Sequence, residues 1–163
     1  MSDTAALVQS LAERVQVLED RLAILDLMAF YGPAVDAGDA EAVIKVWTED
    51  GIYDVDKLKM VGHDEIIKMV GSDAHQGYIA RGCGHVLEPG YVEIDGDTAV
   101  ATCKSQLILK DEDADGFTVA RVTANRWELR KIDGEWKCTV RTSRVLDGRA
   151  EAVELLARGA RGR

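Results

Sequence analysis

Thr123–Arg141 reads TANRWELRKIDGEWKCTVR, and its alternation decides what kind of fold the chain can make. Extended backwards, Val119, Arg121, Thr123, Asn125, Trp127 and Leu129 share one face of a strand, with Ala120, Val122, Ala124, Arg126, Glu128 and Arg130 on the other. IDGE at Ile132–Glu135 is a turn, after which Glu135–Val145 resumes the β pattern. Upstream, His85–Ile94 and Ala99–Leu109 are further β-type segments, set apart by DGD at Asp95 and DEDADG at Asp111. Strands joined by links this short pair antiparallel. Thr123 and Asn125 interrupt an apolar face, and an unsatisfied buried amide costs about 1–3 kcal/mol, so both need partners or a ligand.

The first part of the chain is helical. Leu11, Val15, Leu18, Leu22 and Leu25 recur at helical spacing within Thr4–Tyr31, which predicts a helix packed along its own domain or a neighbouring subunit. Gly32 and Pro33 break or kink it, and Asp39 caps a second helix over Glu41–Trp47. A short strand at Ile52–Val55, a helix at Asp64–Val70 and a glycine-punctuated loop over Gly71–Gly84 follow. A closing helix at Arg149–Arg158 buries Val153, Leu155 and Leu156, and the terminal RGARGR frays. Helices first and an antiparallel meander second make an α+β domain, with the helices covering one face of a curved sheet. Its expected divisions are an N-terminal helical extension at 1–22 continuous with the first helix, the domain proper at 23–147, and a C-terminal helix and tail at 148–163.

With 163 residues the chain has the length of one domain with its own core. A formal charge of −9 repels phosphate backbones and anionic headgroups, so neither nucleic acid nor membrane is an expected partner. The sequence lacks an apolar run of membrane-spanning length and has acids near its start, which predicts a cytoplasmic protein. Cys83, Cys103 and Cys138 are odd in number and lie in β-type segments, which suits small buried hydrophobes rather than disulfides. No metal site is expected: HExxH and paired CxxC are both missing, and the three histidines are scattered. Val122 and Ala124 make the outer face of their strand less polar than a solvated face, so a homo-oligomer, dimer or trimer, is expected.

AILDLMAFYGPAVDAGDAEAVIKVWTEDGIYD at Ala23–Asp54, VGHDEI at Val61–Ile66, GCGH at Gly82–His85 and the Thr123–Arg141 segment together resemble the SnoaL-like branch of the nuclear transport factor 2-like superfamily. The resemblance implies a cystatin-like cone: N-terminal helices packed on a curved, mainly antiparallel sheet that encloses an apolar pocket. It also implies chemistry that needs no metal or organic cofactor, on a small apolar cyclic molecule. In scytalone dehydratase and hexachlorocyclohexane dehydrochlorinase members, an Asp after the first helix and a His at the first long strand form the catalytic pair. Asp36 and His85 match those positions. Thr123 and Asn125 stand in register with a polar run of the dehydratase, and Arg141 matches an arginine of the dehydrochlorinase.

The chemistry of these residue types agrees with that pairing. A carboxylate bonded to one imidazole nitrogen fixes the tautomer and makes the other nitrogen a better base, and an ordinary histidine pKa near 6.5 suits neutral pH. Asn125 is a candidate donor to a developing oxyanion, and Tyr31 and Tyr53 are candidate phenol donors near the first helix and first strand. Arg141 is a candidate counter-charge. It falls on the opposite strand parity from Trp136 and Cys138, so it reaches a pocket they face only through a bulge. His63 is read as capping or solvated, and His75 as a minor candidate for substrate contact from a lid-like loop. The expected function is a cofactor-independent lyase or isomerase of dehydratase, cyclase or dehydrohalogenase type. The alternative is a non-catalytic ligand-binding protein, or the structural small subunit of an aromatic-ring hydroxylating dioxygenase.

Overall fold

In the computed structural model, which describes residues 3–160, Ile24, Met28, Tyr31 and Val35 lie buried along one side of a single long helix. This helix, α1 (Asp3–Asp36), runs straight through Gly32 and Pro33. Pro33 is exposed on the outer side, while Gly32 is buried against the sheet, where a Cβ would overlap the carbonyl oxygen of His85. Glycine here permits close approach rather than a break. Near its middle α1 is anchored by buried Asp20, which accepts from Lys131 Nζ at 2.7 Å and Trp136 Nε1 at 2.9 Å. The N-terminal stripe behaves differently: Leu11, Val15, Leu18 and Leu22 are all exposed, and only Leu25 packs on the core.

Asp39 caps α2 (Ala40–Ile44) by accepting from the Ala42 amide at 2.9 Å. This helix is shorter than expected, because Trp47 already belongs to β1 (Trp47–Val55). The β1 strand turns at Asp56 into β2 (Leu58–Val61), then come α3 (His63–Val70) and α4 (Asp73–Arg81). The stretch expected as a loop is therefore largely helical, with Ser72 as N-cap accepting from the His75 amide. The expected strand at His85–Ile94 is two strands, β3 (Cys83–Leu87) and β4 (Tyr91–Asp95). Pro89 between them has no amide to give to a ladder, which ends the pairing at Leu87.

Both short strands pair antiparallel with β5 (Thr98–Lys110), which continues through β6 (Phe117–Ile132) and β7 (Glu135–Val145). The sheet order is β2-β1-β7-β6-β5-β3, with β4 also on β5, and only β1 and β7 run parallel. The helical layer and this curved sheet make an α+β cystatin-like fold, with α1 packed on Trp127, Leu129, Ala101, Cys103 and Cys138. Burial pushes the thiols of Cys103 and Cys138 up, as for small core hydrophobes.

Part of the sheet's outer face is covered by the chain itself. In α5 (Ala150–Ala160), Ala152 and Leu155 cover Ala124 of β6, whereas Val153 is exposed. Ala124 is thus occupied without a second subunit, and Ala152 takes the burial expected of Val153. The expected frayed tail begins inside this helix, and Arg161–Arg163 lie outside the described residues. Among the described residues no helix is long and apolar enough to cross a membrane.

Candidate functional site

Asp36 is the last residue of α1, at the negative end of the helix dipole, where a carboxylate is least favoured without a partner. Its partners lie on β3. Oδ2 accepts the His85 backbone amide at 2.7 Å, Oδ1 is 2.6 Å from His85 Nδ1, and Cys83 Sγ donates to Oδ1 at 3.4 Å. A carboxylate accepts, so the Nδ1 proton points at Asp36 and Nε2 carries the lone pair. Among the described residues Nε2 has no hydrogen-bond partner. Burial pulls the His85 pKa down, Asp36 pulls it back up in part, and the net shift is downward. Burial thus favours the neutral imidazole, the form that can act as a base.

His85, though not Asp36, lines a cavity of about 190 Å³ between the helices and the sheet. Tyr31, Val35, Met60, Leu87 and Leu107 supply much of its apolar wall; Tyr53, His75, Thr123 and Arg141 add polar groups. A roomier groove of about 590 Å³ lies elsewhere, along Glu93, Thr98, Val100, Glu128 and Thr139, but it touches neither Asp36 nor His85.

Arg141 reaches the cavity through the bulge that parity demanded. Glu128 pairs with Val140 and Leu129 with Cys138, so Thr139 is an extra residue in β7. Trp136 and Cys138 before it, and Arg141 and Ser143 after it, are all buried. The guanidinium carbon sits 4.5, 4.9 and 4.2 Å from the ring centroids of Tyr31, Tyr53 and Trp127, inside an aromatic cage.

Asn125 lies behind the wall rather than in it, at 0 % exposure. Its Oδ1 accepts from Arg141 Nε and Nη2 at 3.2 and 2.8 Å and from Ser143 Oγ at 2.5 Å, while Nδ2 donates to Ser105 Oγ at 2.9 Å. Both ends of the amide are spent within the protein, so the group it presents to the pocket is Arg141. Thr123 does line the cavity, with its hydroxyl 2.7 Å from Ser105 Oγ. Tyr31 packs edge-on to Trp127, and burial followed by the neighbouring Tyr53 pushes its phenol far up, so it stays a neutral O–H.

His75 is the residue sequence reasoning undervalued. It is buried in α4, its Nε2 donates to the Val35 carbonyl at 3.0 Å, and its ring lies 5.8 Å from that of His85. The signal was the i, i+3, i+4 set His75, Tyr78 and Ile79 behind a Ser cap, a helical face inside glycine-rich sequence. His63 instead points its Nε2 at the Trp47 carbonyl, 3.3 Å away. Asp36, Cys83 and His85 are the group with metal-type donors close together, within 4.8 Å among the described residues. Cys83 and His85 both donate their hydrogens to Asp36, and burial together with Asp36 raises the thiol to about 11.

Residues 16–142 match the family model described as the SnoaL-like domain. A solved NTF2-like protein with a cystatin-like fold from Novosphingobium aromaticivorans is 40% identical, with 91% of this chain and 96% of that one covered and a TM-score of 0.88. Rv3472 of Mycobacterium tuberculosis, a protein of unknown function, superposes at TM-score 0.72 with 22% identity, covering 91% of this chain and 90% of its own. Hexachlorocyclohexane dehydrochlorinase LinA-type3 from Novosphingobium barchaimii shares the fold at TM-score 0.70 and 16% identity, over 82% of this chain and 90% of its own. No protein with a curated description matches. Matched by the family model over most of its length and by a close solved relative over nearly all of it, the chain belongs to the SnoaL-like family of NTF2-like proteins.

Proposed function

We propose that the protein is a cofactor-independent lyase or isomerase that takes a proton from carbon in a small cyclic substrate, with His85 as general base and Asp36 as its positioning residue. The observation that carries this reading is the 2.6 Å contact between Asp36 and Nδ1 of His85, a lining residue of the cavity, which leaves Nε2 basic and unpartnered. Nε2 accepts the proton; the C–H pair either forms the new C=C bond as a leaving group departs with its own electron pair, or forms an enolate to which the imidazolium returns the proton at a different carbon. Asp36 balances the imidazolium while it exists. Largely apolar walls keep bulk water from competing.

The test is exchange of carbon-bound hydrogen for deuterium, followed by NMR on a panel of cyclic ketones and cyclic halides in heavy water. The wild type catalyses exchange or elimination on at least one of them. His85→Ala lowers that rate by about 100-fold or more, the lower range for a general base. Undiminished turnover in a folded His85→Ala protein ends the proposal.

A further inference from the structure

Arg141 carries a charge that no acidic side chain answers. It is 3 % exposed, and its acceptor is the neutral Oδ1 of Asn125. Nη1 is buried with no acceptor at all. More exposed arginines of the same sheet are paired: Arg121 with Asp56, and Arg144 with both Asp54 and Glu151. The arginine that loses most hydration is thus one without a carboxylate among the described residues. Three aromatic faces and one amide offset part of that loss, but an isolated buried cation remains costly until an anion joins it. Arg141 lines the same cavity as His85, where a ligand can supply that anion.

We infer that the substrate carries a carboxylate, or an equally ionised acidic oxygen, which docks on Arg141 while the carbon to be deprotonated faces His85 Nε2. The inference rests on the reading of this cavity as the substrate site and narrows the substrate from an apolar ring to an apolar ring bearing one anionic group. Arg121, at the same cavity, is already answered by Asp56 and does not compete for that group. Tyr31, Tyr53 and Trp127 surround the guanidinium, and with Nε and Nη2 donating to Asn125, Nη1 is the donor left for an anionic oxygen.

Equilibrium binding at pH 7 tests this without any catalytic event, with benzoate as probe and benzamide as its neutral isostere. Calorimetry on the wild type, and on His85→Ala, should show benzoate bound at least about 10-fold more tightly than benzamide. Asn125→Asp places a carboxylate against Arg141 from inside the protein, so it should abolish the preference; Arg141→Gln should do the same by removing the charge. Equal binding of the two probes by the wild type, preference for benzamide, or no binding of benzoate at millimolar concentration would overturn the inference. Because His85→Ala keeps the carboxylate site, failure of the proposed base and failure of the anion site give different results.

Discussion

Replacing Gly32 by alanine sets two effects against each other, and the contact between α1 and β3 decides the winner. In a helix interior, Gly→Ala ordinarily stabilises by about 0.8–1 kcal/mol. At Gly32 the new Cβ would overlap the His85 carbonyl oxygen, with Leu87 Cδ1 at 3.5 Å. Backbone cannot swing aside as a flexible side chain can, so β3 must retreat by about 1 Å to restore ordinary contact. Overpacking of this kind costs about 1–3 kcal/mol, which set against the helical gain leaves a net loss of up to about 2 kcal/mol. The same retreat pulls His85 away from Asp36, whose Oδ2 holds the His85 amide at 2.7 Å. A misplacement of about 1 Å can cost roughly 100-fold in rate. Urea titration measures the first effect, and turnover in the deuterium assay the second. A Gly32→Ala protein more stable than the wild type would refute the close approach that places the pair.

Asp36→Asn leaves one acceptor oxygen for three donors, the His85 amide, Nδ1–H and the Cys83 thiol, so stability should fall by about 1 kcal/mol in urea titration and turnover should fall with it. In the wild type the acid limb of kcat/KM should lie below pH 6.5, because burial favours neutral His85, with a flat profile above it; in Asp36→Asn the midpoint should move lower still, since the influences that raise it come from Asp36. Asp20→Ala strands Lys131 Nζ and the Trp136 N–H and should cost about 2–3 kcal/mol, read as a drop of roughly 5–10 °C in Tm, without altering benzoate affinity. Lys131 and Trp136 overcome the burial that opposes charge on Asp20 and hold its pKa below the ordinary 3.8. Its contribution to stability is therefore present above pH 3.8 and fades as pH falls through the lower folded value, which acid titration of the wild type against Asp20→Ala checks.

The layer order was legible because period-2 alternation and turn residues coincide from β5 to β7, where each local preference points the same way. What sequence misjudged depends on contacts across the chain. Gly32 and Pro33 look like a break until β3 lies against them, and only that contact separates a helix end from a helix pressed on a strand. Leu11, Val15, Leu18 and Leu22 share their spacing with Ile24, Met28, Tyr31 and Val35, yet the second set meets the sheet and the first does not. The Asp36 and His85 positions were readable from motif; the third contact at this corner, Cys83 to Asp36, was not, because it follows from strand direction. Asn125 was legible as a polar residue needing partners, but whether those were a ligand or Arg141 and Ser143 depended on the neighbouring strand's register.

Register in β7 turns on one residue. With regular alternation from Trp136, the strand would present Val140 and Thr142 to the cavity and send Arg141 and Ser143 to the outer face. The extra residue Thr139, whose hydroxyl donates to the Glu128 carbonyl at 3.1 Å, reverses that assignment for the rest of the strand. Trp136 and Cys138 then serve the anchor of α1 and the core, while Arg141 and Ser143 serve the wall of the cavity. A sheet face that would otherwise be apolar gains a buried cation with its orienting amide, directly under Tyr31 of the helix that ends in Asp36. The base side and the charged side of the pocket thus come from the two partners of the main packing interface, helix with β3 on one side and bulged β7 on the other. Loosening that interface would therefore disturb the proposed proton abstraction and the proposed anion binding together, whereas single substitutions at His85 or Arg141 would separate them.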